Sequence, residues 1–297
     1  MRILLNVNSN KQSGLGHFTR CLALAVQAWQ RGHILAFVGD TNPRQGYISH
    51  YPANPFDKAQ DVPGDGDAFT KAAKSFQPDW TIVDLPGDLP PYVGDVRGKI
   101  CVIDGLGHCG NIKPDLIISQ GLEGEYCAPK YLILRQALSR YKNSPKGDRW
   151  LVYGGASDEI GLLSAFSLAM TDQLANLLAT KFSDTLIQKD KSHTVVRGEG
   201  DAGLGWVAEA NRACIHMGMI AWELVWYKVP TWIVSRTDRH LKTALEFEQQ
   251  GYAKAWGKIG LPKDNELREW LGKPNELKGE SFDLDGAKRV LELMEAG

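Results

Sequence analysis

A glycine-rich turn carrying a histidine precedes the first helical pattern of the chain. Residues 13–20 read Ser-Gly-Leu-Gly-His-Phe-Thr-Arg. Gly14 and Gly16 permit a tight turn and a close approach of a ligand to the backbone. The start of the following helix offers unbonded N–H groups and a positive dipole end, which suit an anion. The pattern therefore predicts a ligand-binding turn, and a turn without a ligand is the alternative.

His17 lies where this first helix is expected to begin. A positive helix end disfavours the imidazolium ion, so we expect a neutral ring. A neutral imidazole can accept a proton from water or from a hydroxyl group, which makes His17 a candidate general base. An ordinary role at the helix end is the alternative.

Two aspartates each close an apolar run that is predicted to be a strand. Asp84 follows Thr-Ile-Val, and Asp104 follows Cys-Val-Ile. Ligands of open parallel sheets gather at the carboxyl ends of the strands. Either aspartate could therefore bind sugar hydroxyls or assist His17, and the alternative is that each caps a turn.

A second glycine pair occurs at the start of the second half, where residues 154–158 read Gly-Gly-Ala-Ser-Asp. Gly155 frees the backbone, and Ser157 or Asp158 can cap the next helix while its N–H groups meet a phosphate. A capped turn without a ligand is the commoner outcome for such a stretch in isolation.

A third segment, residues 217–223, predicts a helix that begins near Gly218 and Met219 and carries Glu223 about one and a half turns later. A carboxylate there could accept hydrogen bonds from both hydroxyls of a ribose. A solvated surface charge is the alternative.

Short apolar runs alternate with helical patterns, which is typical of an α/β protein with parallel sheets. The predicted strands are residues 3–7, 34–38, 80–83, 100–103, 116–118, 150–153, 184–188, 213–216, 231–234 and 253–256. The first helix has one apolar stripe, formed by Phe18, Cys21, Leu22, Ala25 and Trp29. Further helices are expected at 160–170, after 218, after 238 and near 287–294.

The pattern restarts near the middle of the chain, which predicts two domains. Residues 139–149 are polar and aperiodic, contain Pro145 and Gly147, and are interpreted as a linker. We expect an N-terminal lobe over residues 1–140 and a C-terminal lobe over residues 149–280. Residues 281–297 are expected to form a helix that packs back on the first lobe.

The bulk composition excludes several classes. A net charge of −1 over 297 residues does not indicate binding to nucleic acid or to an anionic membrane. The five cysteines lie far apart and form no C-x-x-C pair, which favours a reducing compartment. No apolar run approaches the roughly 18 residues that span a bilayer, so we expect a cytoplasmic protein without membrane insertion. The histidines show no ligand spacing, and neither a metal nor a cofactor is expected.

Together these motifs resemble a known family. Gly14 to His17 and Arg20 to Ala25 are similar to the N-terminal signature of the nucleotide-sugar hydrolase of pseudaminic acid biosynthesis. A spore-coat polysaccharide protein and the lipid II glycosyltransferase are its relatives. The similarity recurs at residues 102–104, 115–120, 129–135, 154–158, 210–223 and 229–230.

The resemblance implies a glycosyltransferase-B (GT-B) fold, with two Rossmann-like lobes of parallel strands and a cleft between them. It implies no metal requirement and a UDP-sugar held mainly by the second lobe. In this family the histidine that matches His17 activates the attacking water or hydroxyl, and the glutamate that matches Glu223 binds the ribose. We predict further contacts with the substrate or its nucleotide from Gly14, Gly16, Arg20, Gly155, Ser157, Gly218 and Met219.

This chain departs from the family where the diphosphate is bound. The family reads Gly-Gly-Ser-Thr at positions 217–220, whereas here the residues are Met-Gly-Met-Ile, so two hydroxyls are missing. His240 replaces an expected glutamine. Phosphate contacts are therefore expected from backbone N–H groups, Ser157, Arg236, Arg239 or His240.

The resulting hypothesis is a metal-independent glycosyltransferase that moves a sugar from a nucleotide-sugar, expected to be UDP-linked, to a hydroxyl acceptor. The acceptor could be a small molecule or a polymer, including a modified base in DNA. One alternative is a nucleotide-sugar hydrolase, in which water replaces the acceptor. A non-catalytic nucleotide-sugar binding protein is a further alternative.

Overall fold

The chain divides into two compact units in a computed structural model that describes residues 1–8, 15–39, 66–85, 87–103, 109–179, 192–197 and 203–297. Unit 1 contains Met1–Gln136 together with Phe282–Gly297, and unit 2 contains Ala137–Ser281. The chain therefore passes from one unit to the other twice.

Unit 1 is built on a parallel sheet with the strand order β2-β1-β3-β4-β5. Its strands are β1 (Arg2–Val7), β2 (Ile34–Val38), β3 (Trp80–Asp84), β4 (Lys99–Ile103) and β5 (Leu116–Ile118). Its described α-helices are α1 (Gly16–Gln30), α2 (Gly66–Phe76) and a C-terminal helix (Gly286–Ala296), and a 3₁₀ turn spans Pro91–Asp95.

The strands of unit 1 are apolar on both faces because helices cover both sides of the sheet. Ile3 and Leu5 of β1 pack in the cluster that contains α1, whereas Leu4 packs with Phe69 of α2. Continuous apolar strands of this kind are typical of parallel sheets. The α1 stripe is buried as predicted except at Trp29, which is 42% exposed because it lies in the last turn of the helix.

Unit 2 repeats the architecture, with the strand order β11-β10-β9-β6-β7-β8 and parallel pairing throughout. Its strands are β6 (Trp150–Tyr153), β7 (Ala175–Ala179), β8 (His193–Arg197), β9 (Arg212–His216), β10 (Thr231–Ser235) and β11 (Lys254–Ile259). Its described α-helices are α3 (Leu162–Ala169), α4 (Leu204–Glu209), α5 (Met219–Trp226), α6 (Asp238–Gln249) and α7 (Asp264–Leu271), and the helix Gly286–Ala296 of unit 1 is therefore α8.

The fold class predicted from the sequence is confirmed, since both units are α/β with parallel sheets. Two strands were missed. β7 reads Ala-Asn-Leu-Leu-Ala, which lacks the β-branched residues that signal a strand. β8 begins five residues after the strand predicted at 184–188, and that segment lies outside the described residues.

The segment 139–149 is part of unit 2 instead of a free linker. The amide N–H of Gly147 donates to the Glu209 carbonyl at 2.8 Å, and the ammonium of Lys146 donates to the Ala208 carbonyl at 2.7 Å. These bonds tie a polar, aperiodic stretch to the end of α4. In the described part of the chain, no helix combines the length and apolarity needed to cross a membrane.

Candidate functional site

The carboxyl end of β3 and the start of α1 lie side by side in unit 1. β1 pairs with β3 so that Val7 is opposite Asp84, and α1 is the first described helix after β1. His17 is in the first turn of α1, and Asp84 is the last residue of β3. The sheet register therefore brings together two residues that are 67 positions apart in the sequence.

The two side chains are in direct contact. His17 Nδ1 lies 2.5 Å from Asp84 Oδ1. Arg20 donates to the same carboxylate twice, from Nε to Oδ2 and from Nη2 to Oδ1, both at 2.5 Å. The result is a cluster of three residues, His17, Arg20 and Asp84, with the carboxylate at its centre.

The electrostatics keep Asp84 ionised. The side chain is fully buried, and burial alone would raise its pKa. The charge of Arg20, and then the His17 ring, outweigh this effect and hold the pKa of Asp84 well below its usual range. An ionised carboxylate can only accept hydrogen bonds.

The charge of Asp84 decides which nitrogen of His17 carries the proton. Arg20 Nη2 also lies 3.0 Å from His17 Nδ1, but a guanidinium only donates. A 2.5 Å contact with a carboxylate requires the proton on Nδ1. His17 Nε2 then carries the lone pair, and the side chain is 20% exposed. This is the arrangement of a base whose tautomer is fixed by an acid behind it.

The structure bears on two of the residues predicted at this site. Arg20, which was predicted among the ligand contacts, has its guanidinium buried against Asp84, because Arg20 follows His17 by nearly one turn on the same face of α1. Of the two roles considered for Asp84, its full burial and its contact with His17 favour assistance to His17 over binding of sugar hydroxyls. Gly14 and Asp104 lie outside the described residues, and Gly16 is the first residue of α1.

In unit 2, predicted residues and one further histidine lie at the carboxyl ends of three neighbouring strands. β9 lies between β6 and β10 in the sheet. The glycine pair follows β6, His216 ends β9, and Arg236 follows β10. Segments far apart in the sequence therefore meet at one edge of the sheet.

One of the two glycines after β6, Gly154, has a purely structural explanation. Asp158 accepts hydrogen bonds from the amides of Leu162 and Leu163 and so caps α3. A Cβ on Gly154 would lie 1.7 Å from Asp158 Oδ1, so only glycine fits there. Gly155 has a positive φ of +88°, and a Cβ on it would lie 3.6 Å from His216 Nδ1. Gly155 thus brings the turn against the end of β9.

His216 is a residue that the sequence reasoning did not select. The side chain is buried, and its Nε2 has no hydrogen-bond partner within the described part of the chain. Burial, with the nearby His240 ring and the Arg236 charge, lowers the pKa of His216 to about 3. A buried polar atom without a partner is costly and suggests a missing ligand or water. Its position at the end of a central strand was the only signal in the sequence.

α5 begins directly after Gly218. Gly218 is the N-cap residue, with extended backbone and no side-chain cap, and a Cβ on it would have no described atom within 4 Å apart from its chain neighbours. The first residue of the helix is Met219. Glu223 lies in the second turn and is only 4% exposed, so it is not the solvated surface charge of the alternative reading.

α6 contributes the remaining predicted residues. Thr237 caps this helix by accepting from the His240 amide at 3.3 Å, which places Arg239 and His240 in its first turn. The His240 and His216 rings meet edge to face, with centroids 4.7 Å apart.

Ser157 donates to Glu159 at 3.1 Å, and Glu159 forms an ion pair with Arg236. Within the described ranges, no group of three or more His, Cys, Asp or Glu side chains is placed to hold a metal ion.

No protein-family model matches the chain, and no curated protein matches it. Solved structures do resemble it. A UDP-GlcNAc 2-epimerase from Neisseria meningitidis bound to UDP-GlcNAc is 9% identical, with 100% of both chains covered and a TM-score of 0.67. Arabidopsis thaliana UGT89C1 complexed with UDP is 11% identical, with 99% of each chain covered and a TM-score of 0.65.

The glycosyltransferase SnogD from Streptomyces nogalater is 15% identical, covers 99% of this chain and 95% of its own, and has a TM-score of 0.57. At such low identity these likenesses concern the fold. The chain has the two-unit Rossmann-like fold of GT-B glycosyltransferases and UDP-GlcNAc 2-epimerases, which is the fold that the resemblance implied.

Proposed function

We propose that this protein is a glycosyltransferase that moves a sugar from a UDP-sugar to a hydroxyl acceptor, with His17 as the general base. The observation that carries the proposal is the cluster of His17, Arg20 and Asp84. It combines a partly exposed imidazole side chain, a buried carboxylate that fixes the tautomer and an arginine that keeps the carboxylate ionised.

In the proposed reaction, His17 Nε2 takes the proton of the acceptor hydroxyl as its oxygen bonds to the anomeric carbon. The bond from that carbon to the phosphate oxygen breaks, and UDP leaves with the electron pair. Asp84 stabilises the imidazolium that forms, because its carboxylate contacts Nδ1. The single proton released in this reaction is therefore taken up by His17 Nε2.

The nucleotide is assigned to unit 2. The start of α5 suits the diphosphate, because the positive end of a helix dipole attracts anions. His216 ends the strand that precedes α5 and Gly155 lies against it, and Glu223 in the second turn of α5 is proposed to bind the ribose. UDP is the proposed nucleotide because two of the similar structures contain UDP or UDP-GlcNAc.

A hydrolase would use the same base, with water in place of the acceptor, so the experiment must separate the two activities. The protein is incubated with a panel of UDP-sugars, with and without sugar, polyol and polymer acceptors, and the products are followed by NMR. A new glycoside supports the proposal. Free sugar without a glycoside would favour hydrolysis, and a change at C2 of the donor would favour epimerisation.

Two further measurements complete this test. The His17→Ala variant run on the same panel shows whether the products depend on the base. Tight UDP binding without any product from any sugar would favour a non-catalytic binding protein. That outcome would reject the transferase.

A further inference from the structure

An ion pair connects two loops at the carboxyl edge of the unit 2 sheet. Glu159 lies in the loop between β6 and α3, and Arg236 lies in the loop between β10 and α6. The side chains are 45% and 34% exposed. Ser157 also donates to Glu159, at 3.1 Å, so one carboxylate engages two groups that were expected to contact phosphate.

The pair spans the end of β9. Because β9 lies between β6 and β10, a bond between the loops after those two strands crosses the end of the strand where His216 lies. The charge of Arg236 is close enough to affect His216. His216 Nε2 is buried and has no hydrogen-bond partner among the described residues, which points independently to a ligand at this place.

We propose that the Glu159 carboxylate binds Arg236 and Ser157 when no nucleotide is bound. When the nucleotide binds, the phosphate of the donor takes the place of this carboxylate. This inference rests on the proposed function, which assigns the diphosphate to the same edge. Arg236 and Ser157 are then donor-binding residues, and Glu159 is a competitor that binding must displace.

The chemistry of the three groups supports an exchange. A guanidinium binds carboxylate and phosphate through the same fork of N–H donors. An exposed ion pair contributes little to stability, so it can open when a more highly charged anion arrives. A diphosphate offers more charge and more acceptor oxygens than a single carboxylate.

The test is a double-mutant cycle on the full chain, with affinities for UDP, UMP and uridine measured by calorimetry. We expect Glu159→Gln to tighten UDP binding about two- to fivefold, because a competing ion pair of ordinary surface strength is removed. Arg236→Met should weaken UDP binding about tenfold. In the Arg236→Met background, Glu159→Gln should have a smaller effect than in the wild type, because only the bond with Ser157 is then released, and neither variant should change uridine binding.

Asp172→Asn is the matched control. Asp172 forms an exposed ion pair with Arg268 and precedes β7, so it lies toward the opposite edge of the same sheet. Its loss should leave UDP affinity unchanged. Thermal melts of every variant verify that unit 2 remains folded, and Glu159→Ala provides a second removal of the carboxylate.

Two results would overturn the exchange. If UDP binds the wild type but Glu159→Gln weakens or does not alter binding, Glu159 positions Arg236 or has no role, and the proposed function is untouched. If the wild type binds neither UDP nor UMP, the exchange and the proposed nucleotide site fail together.

Discussion

The carboxyl edges of the two sheets differ in how completely their polar groups are satisfied. In unit 1, the carboxylate of Asp84 is buried and fully bonded, and its position is fixed by Arg20. In unit 2, the imidazole of His216 is buried with an atom that has no partner in the described chain, beside an exposed ion pair. The polar groups of the first edge already have hydrogen-bond partners, whereas a ligand could supply the partner that His216 lacks at the second edge.

This difference suggests a division of labour. A general base benefits from a rigid arrangement that exists before the substrate arrives, because no reorganisation is then needed during reaction. A binding edge gains affinity when a ligand satisfies polar groups that are unsatisfied without it. Variants at the first edge should therefore change turnover or stability, and variants at the second should change affinity.

The largest effect is expected from His17→Ala. Loss of a general base should lower turnover about a thousandfold, with little change in UDP affinity. The measurement is glycoside formation by NMR beside UDP calorimetry. His33→Gln, which changes another histidine of unit 1, is the control, and near-normal turnover of His17→Ala would reject the base role.

Asp84→Asn should strongly destabilise the protein. It leaves the buried Arg20 guanidinium without a counter-charge, which costs about 3–5 kcal/mol when one partner of a buried pair is removed. Urea unfolding followed by tryptophan fluorescence measures the loss. The double variant Arg20→Met/Asp84→Leu removes both charges and should recover most of it. A double variant as unstable as the single one would contradict this account.

The two edges should also respond differently to acid. The pKa of His216 is about 3 in the folded protein against about 6.5 when unfolded, so between these values only the unfolded chain binds the proton. The contribution of neutral His216 to the free energy of unfolding is present in full above pH 6.5. It falls by about 1.4 kcal/mol per pH unit as the pH drops toward 3. The pKa of Asp84 is lowered, so its contribution is lost only below about pH 4.

Urea unfolding of the wild type and of His216→Gln between pH 7 and pH 4 checks this prediction. The glutamine variant does not titrate at that position, so the wild type should lose stability more steeply with acid. Parallel curves for the two proteins would show that His216 is not held neutral by burial.

A smaller effect is expected from Glu223→Ala, which should weaken UDP binding about tenfold, in line with the loss of hydrogen bonds to a charged acceptor. Calorimetry with UDP and with 2′-deoxy-UDP separates ribose contacts from a general loss of structure. The wild type should bind UDP more tightly than 2′-deoxy-UDP, and this difference in affinity should be much smaller in the variant. Equal losses for both ligands would reject the ribose role.

The sequence predicted the elements better than it predicted their contacts. Helical and strand periodicity located α1 and most strands, because burial follows those periods. The proximity of His17 and Asp84 was one of the options considered, since Asp84 was predicted to close a strand and His17 to begin the helix that follows the first strand. The burial of Arg20 was missed, because the sequence does not say which sheet residue faces a given turn of a helix.

His216 was missed for a related reason. Its neighbours in sequence are apolar, and no ligand spacing marks it. Its importance arises from Gly155 and His240, which are 61 and 24 positions away and reach it only through the strand order. The short strand β7 was missed because its alanines and asparagine carry no strand preference of their own.

The C-terminal helix has a consequence for how the protein is made. Four side chains of α8, Ala287, Val290, Leu291 and Met294, lie in the main core of unit 1, and the indole N–H of Trp80 donates to the Met294 carbonyl at 3.0 Å. The part of unit 1 that the ribosome makes first therefore obtains its last core residues only after all of unit 2 has been synthesised. Unit 2 is continuous in sequence, so all of its core residues are available earlier. Unit 2 can therefore complete its core before unit 1, although most of unit 1 is synthesised first.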